Sequence, residues 1–177
     1  YILLHNIKGG FFNFNPARLS TALHKNVWVE QAQFRRIFPS TLEVTIREYI
    51  PLAYWQKKKI LTGSGDVIRP AQINGLALPH LSGPEGSMKF VMNQYRNATS
   101  MLQPISLTVS DLTLSSRLAW SLQLSNGIEV RLGREDVDKR LQRLVAVYPR
   151  VMASRAADVV SIDLRYPNGM AVRWRKH

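Results

Sequence analysis

Histidine, serine and carboxylate side chains are the groups with which this chain could do chemistry, and their spacing argues against it. His5, His24, His80 and His177 are far apart and show no metal-binding spacing such as H-E-x-x-H. Ser64, Asp66 and His80 make a hydrolytic trio on paper, yet no strand-to-helix elbow presents the serine. Glu135, Asp136 and Asp138 fall in the predicted first turn of a helix, where negative charge meets the helix dipole favourably. Gly63-Ser64-Gly65 and Gly83-Pro84-Glu85-Gly86 follow no buried strand and carry no Lys-Ser/Thr pair, so turns explain them better than a phosphate cradle. The absence of cysteine removes thiolate nucleophiles, disulfide frameworks and iron–sulfur clusters. The expectation is a protein with no catalytic residues, no metal and no cofactor.

Charge points to a partner instead. The 177 residues hold 24 Lys and Arg against 12 Asp and Glu, a net +12, and such an excess favours an anionic neighbour. The densest run is Lys57, Lys58 and Lys59, with smaller groups at Arg35–Arg36 and at Arg173, Arg175 and Lys176. A nucleic-acid binder clusters its charge on one face among stacking aromatics; this distribution is scattered, and no nucleic-acid partner is expected. The lysine run fits either a solvated turn or a docking patch for an anionic surface. Trp28, Trp55, Trp120 and Trp174 sit at strand-compatible positions that suit core packing, and Trp174, near the chain end, is the candidate for surface recognition.

The elements that must position these residues follow from periodicity. Hydrophobic residues make up 45% of the chain, enough for a core, and no apolar run approaches the roughly 18 residues needed to cross a bilayer. Residues 1–7 read as the tail of an amphipathic helix stopped by Gly9–Gly10, and Asn15–Pro16 as a helix start, with that helix ending near Asn26. Strands are predicted over 27–35 and 41–48, the latter alternating through Leu42, Val44 and Ile46. The texture changes near Pro51, which places a domain boundary between 1–50 and 51–177. Beyond it, 63–86 reads as a loop-rich excursion. A helix carries Met88, Val91, Met92, Tyr95 and Leu102 and ends at Pro104, and strands alternate through Ile105, Leu107 and Val109 and through Leu118 to Leu124. Asn126–Gly127 predicts a two-residue type I′ turn, and a helix follows from Val137 with Pro149 as its stop.

A C-terminal hairpin closes the chain: Val160, Ile162 and Leu164, a Pro167–Asn168–Gly169 turn, then Met170, Val172 and Trp174. The last strand has one assured neighbour, so its other edge can accept an incoming strand by β-augmentation. Arg165 and Tyr166 stand beside it; these types are enriched at interface hot spots and are also ordinary turn residues, and their types alone do not decide between the two.

At these residues the sequence resembles the bacterial FtsQ/DivIB cell-division family. The carrying segments are VWVEQAQFRRIFPSTLEVTIREYIPLAYW at 27–55, LPHLSGPEG at 78–86, LAWSLQLSNGIEVRLGRE at 118–135, RLQRLVAVYP at 140–149 and IDLRYPNGMAVRW at 162–174. The resemblance implies an α+β chain: a truncated POTRA domain at 1–50, two helices with a β-hairpin and its first strand missing, then a larger mixed α/β "β domain" at 51–177 with an extended antiparallel sheet and a C-terminal hairpin. It implies a non-enzymatic divisome scaffold that binds FtsB, FtsL and other division proteins, so that septal peptidoglycan synthesis is localised and regulated. An upstream helix would anchor it once in the inner membrane, with this region in the periplasm at the division septum. Motif by motif, the implied partner site is Arg165, Tyr166, Asn168 and Gly169, the edge strand with Met170, Val172 and Trp174, and Arg117 from the strand ahead of the Ala-Trp pair. The rival by fold is a basic POTRA-bearing interaction module of a membrane assembly or transport system; such families continue into a barrel with repeated amphipathic strands.

Overall fold

The computed structural model describes residues 16–39, 41–56, 59–71 and 75–176. The expected helix tail at 1–7, the Asn15 cap and the missing first POTRA strand lie outside the described residues, as do Lys57 and Lys58. Helix α1 spans Pro16–Leu23. It ends earlier than Asn26 because the Asn26 carbonyl and side chain are taken by a turn: the Val29 amide donates to Asn26 O at 3.0 Å and the Trp28 amide to Asn26 Oδ1 at 3.1 Å. That Asx turn also delays the first strand.

Strands β1 (Val29–Ile37) and β2 (Thr41–Glu48) form an antiparallel hairpin and a sheet of their own. Phe34 pairs with Val44 and Ala32 with Ile46 on the half-buried face, as the alternation requires. Phe38 at the hairpin tip is 85% exposed.

The rest of the described chain builds one nine-stranded sheet. Its strands are β3 (Pro51–Trp55), β4 (Lys59–Thr62), β5 (Val67–Ile68), β6 (His80–Ser82), β7 (Val109–Leu114), β8 (Trp120–Leu124), β9 (Glu129–Gly133), β10 (Val159–Asp163) and β11 (Ala171–Trp174), in the order β11-β10-β9-β8-β7-β6-β3-β4-β5. Helix α2 (Met88–Leu102) crosses between β6 and β7, and α3 (Val137–Val151) between β9 and β10; both crossovers join parallel strands. These two parallel pairs, and the β3–β6 pair, stand inside a sheet whose remaining ladders are antiparallel. Val91, Leu102, Leu112, Leu132, Leu141, Leu144 and Ile162 are fully buried between helices and sheet. The aliphatic stripes of α2 and α3 therefore face the strands' inward residues.

Four local readings differ from expectation. Ile105 belongs to a 3₁₀ turn that follows α2, because Pro104 tightens the chain there, so the next strand begins at Val109. Leu118 has φ +59° and is 60% exposed, in the turn before β8 and not in the strand. Pro149 lies inside α3, which runs on to Val151; a proline this near a C-terminus removes one amide bond without ending the helix. The β8–β9 connection is a three-residue loop, Ser125 to Gly127. The Gly127 amide donates to Leu124 O at 2.8 Å, the Leu124 amide to Ile128 O at 3.0 Å, and Gly127 takes φ +85°. This is the type I turn with a glycine bulge. It is held from outside by Asn126 Nδ2, which donates to the Tyr148 hydroxyl on α3 at 2.9 Å.

Candidate partner-binding edge

Several of the residues considered for catalysis are engaged elsewhere, and His5 and His177 lie outside the described residues. Ser64 Oγ donates to Asp66 Oδ2 at 3.0 Å, whereas His80 stacks on Tyr54 with ring centroids 4.7 Å apart, so the paper trio is not assembled. Asp138 accepts from Asn97 at 2.8 Å and Gln94 at 3.1 Å, which ties α3 to α2, and Asp136 pairs with Lys139 at 3.2 Å. Among the described residues no group of three or more His, Asp or Glu side chains can hold a metal ion.

Among the described residues strand β11 pairs with β10 alone and lies at the end of the sheet order. Val172 and Trp174 face inward and, with Met170 just before the strand, are half-buried against the core; Ala171 and Arg173 point outward. Trp174 is therefore not a free surface ring: it packs inward, with the Arg155 guanidinium 4.9 Å from its centroid. What β11 offers outward is its backbone edge.

The turn from Arg165 to Gly169 precedes that edge. Tyr166 is 55% exposed, Asn168 is exposed and Gly169 is half-buried. Arg165 is not free. Its Nε donates to both Asp163 oxygens, at 2.9 and 3.0 Å, and its amide reaches Asp163 Oδ1 at 3.0 Å. The Arg165 side-chain hydrogen bonds hold the Asp163 carboxyl below the usual carboxylate range, against a smaller opposing effect of burial. The sign follows: the pairing stabilises the folded chain at pH above the ordinary aspartate range, and is lost as pH falls through the lowered value. A carbon-detected titration of Asp163 is expected to inflect below the ordinary value of about 3.9, with Arg165→Gln raising it. An ordinary inflection in the parent protein would rule the pair out.

Arg117 lies in the Ser115–Ala119 turn and not in a strand. That turn is closed by the Ser115 amide to Ala119 O at 2.9 Å and the Leu118 amide to Ser115 O at 2.9 Å. Trp120 pairs with Gly133, so this turn sits at the same end of the sheet as the end of β9 and the Arg165–Gly169 turn. Ala119, Gly133, Arg140 and Arg165 line one shallow hollow there.

Four residues of this end were not singled out from sequence: Asp163, Gly133, Arg140 and Arg143. Arg140 Nη1 donates to Leu132 O, and Arg143 Nη1 to Tyr166 O at 2.9 Å and to Gly169 O. Gly133 has φ +79° beneath Arg140 and Arg165. The one sequence signal for the arginines is their spacing of three, each just before a buried leucine of α3, Leu141 and Leu144.

Comparison with known proteins accounts for both units. The family model "POTRA domain, FtsQ-type" matches residues 2–49, and "Cell division protein FtsQ/DivIB, C-terminal" matches residues 53–165. The protein named "Cell division protein FtsQ" from Coxiella burnetii is 37% identical over 175 residues, covering 98% of this chain and 72% of that protein. The Burkholderia pseudomallei protein of the same name is 40% identical over 172 residues, covering 94% of this chain and 69% of its own length. That of Escherichia coli is 34% identical over 152 residues, 83% of this chain and 55% of its own. With both matches in order along one chain, and relatives aligned over most of it, the chain belongs to the FtsQ/DivIB family of cell division proteins.

Proposed function

We propose that the protein is a non-enzymatic scaffold of the division machinery that binds FtsB- and FtsL-type partners at the C-terminal end of its large sheet, and so localises and regulates septal peptidoglycan synthesis. In this reading an upstream helix anchors it once in the inner membrane, and the region described here lies in the periplasm at the septum. Among the described residues no helix is long and apolar enough to cross a membrane. The observation that carries the proposal is the edge of β11, a strand with one partner among the described residues, beside an exposed tyrosine in a turn. An incoming strand gains main-chain hydrogen bonds there and an aromatic anchor at its flank. The site comprises Arg165, Tyr166, Asn168 and Gly169, the strand from Met170 through Val172 to Trp174, and Arg117 on the neighbouring turn. Pull-down of the protein with FtsB-type partners tests it; no capture would leave the scaffold without this surface.

The proposal also divides the labour at residue 50. The main buried cluster draws on residues from Ala53 to Leu164, while Leu23, Val29, Ile60 and Ile68 are buried outside it. An open cleft of about 1060 Å³ lies between the two parts, lined by Val29 and Tyr49 on one side and Trp55, Ile68 and Lys89 on the other. Residues 51–177 alone are expected to melt in one cooperative transition and to bind the partner segment as tightly as the full chain. A fragment that fails to fold would place the boundary elsewhere.

A further inference from the structure

The turn that presents Tyr166 has no framework of its own. Among the described residues no backbone–backbone hydrogen bond is made within 165–169; the neighbouring ladder stops with the Asp163–Ala171 pair, and the Leu164 amide goes to Arg131 O at 2.9 Å. A bend without an i to i+3 bond is free to sample other shapes unless something else holds it. Its entry is capped locally by Asp163, which accepts from the Arg165 amide at 3.0 Å; what holds the stretch from Tyr166 to Gly169 comes from another element. Arg140 and Arg143 are three apart on α3, hence neighbours on one face of the helix. Arg140 reaches the carbonyl of Leu132 on β9, and Arg143 reaches the carbonyls of Tyr166 and Gly169, at the two ends of the bend. Charge-assisted bonds of this kind are about twice as strong as neutral ones, and the Arg143 side chain is half-buried.

We infer that Arg143 is a positioning residue for partner binding: by clamping Tyr166 O and Gly169 O it stands in for the missing turn hydrogen bond and fixes the direction in which the Tyr166 ring leaves the sheet. The inference rests on the reading of this turn as the partner site. Arg140 is the second half of the frame, holding the end of β9 against the same helix. Neither arginine is offered as a contact for the partner. Their role explains why a loop of five residues can act as a binding surface without a large entropic cost on association: it is ordered before the partner arrives.

The test uses the whole chain with Arg143→Ala, Arg143→Lys, Tyr166→Ala and the Arg143→Ala/Tyr166→Ala double variant. Backbone ¹⁵N relaxation in the free protein reads the turn directly. Order parameters at Tyr166, Asn168 and Gly169 are expected to fall from the rigid value of about 0.85 to below about 0.6 in Arg143→Ala, with Arg143→Lys between, since an ammonium lacks the planar fork. Calorimetry with the C-terminal segment of an FtsB-type partner is expected to show affinity about 10- to 100-fold weaker for Arg143→Ala. A residue acting through Tyr166 adds no further loss when Tyr166 is already gone, whereas an independent structural role adds in full. Unchanged order parameters, or full additivity in the double variant, would overturn the inference. If Tyr166→Ala binds like the parent, the partner-site reading fails by itself, and the order parameters still decide whether Arg143 holds the turn.

Discussion

Tyr166→Ala is expected to weaken binding of an FtsB-type segment by roughly 30- to 1,000-fold while leaving the fold intact. An aromatic anchor truncated at an interface centre costs on the order of 2–4 kcal/mol. The ring is 55% exposed, so little packing is lost within the free protein. The backbone of the same residue stays tied, because Arg143 holds its carbonyl and not its side chain. Titration calorimetry gives the affinity and a thermal melt gives the fold; a folded variant that binds like the parent would move the site elsewhere. Arg165→Glu is the less clean experiment, though from sequence the two changes look equivalent. Arg165 is committed to Asp163, so reversing its charge sets two carboxylates side by side and disturbs the turn as well as any partner contact. Arg165→Gln keeps some hydrogen-bonding capacity and removes the charge, and so separates the two effects.

The hairpin that carries this site was visible in the sequence because strand alternation, a Pro-Asn-Gly turn and a second alternating run are all local signals. The same holds for β2 and for the apolar stripes of α2 and α3, where period and burial agree residue by residue. Pairing across the sheet is a different matter. That β10 lies parallel to β9 and β6 parallel to β7 depends on two helical crossovers packing back over one face, and no window of sequence encodes it. Trp174 shows the limit at single-residue scale. Its place near the chain end suggested a surface role, but strand parity turns the indole inward beneath Arg155, and parity is set by the register with β10. The site's support was hidden for a related reason. Arg140 and Arg143 look like the solvated face of an amphipathic helix, and their carbonyl partners, on β9 and on the Arg165–Gly169 turn, approach only once the sheet has formed. Asp163 reads as an ordinary polar strand residue until Arg165 folds back onto it.

Gly133 is where those supports meet, and replacing it tests whether they form one unit. Its φ of +79° lies in the region where a side chain is strained, which by itself costs an alanine about 1–2 kcal/mol. A Cβ there would also stand 2.7 Å from Arg140 Nη1 and 3.2 Å from Arg165 Cγ. The nearer atom is the end of a flexible side chain and can withdraw, but in doing so it gives up its bond to Leu132 O, and a hydrogen bond to a charged group contributes about 1.5–3 kcal/mol. Gly133→Ala is therefore expected to destabilise the protein by about 2–4 kcal/mol, or roughly 5–15 °C in melting temperature for a chain of this size. The displaced Arg165 should carry the loss to the site, so that partner affinity falls even below the melting range, and the Asp163 titration should move back toward its ordinary value. Gly133→Asn divides the causes, since asparagine tolerates the left-handed conformation better than alanine but fills the same space. If Asn is as damaging as Ala, the arginines above Gly133 matter more than its backbone; if Asn is well tolerated, the strain of the positive φ dominates. An alanine variant as stable as the parent, with an unshifted Asp163, would mean that Arg140 and Arg165 are not packed on this glycine in solution, and the frame beneath the turn would have to be redrawn.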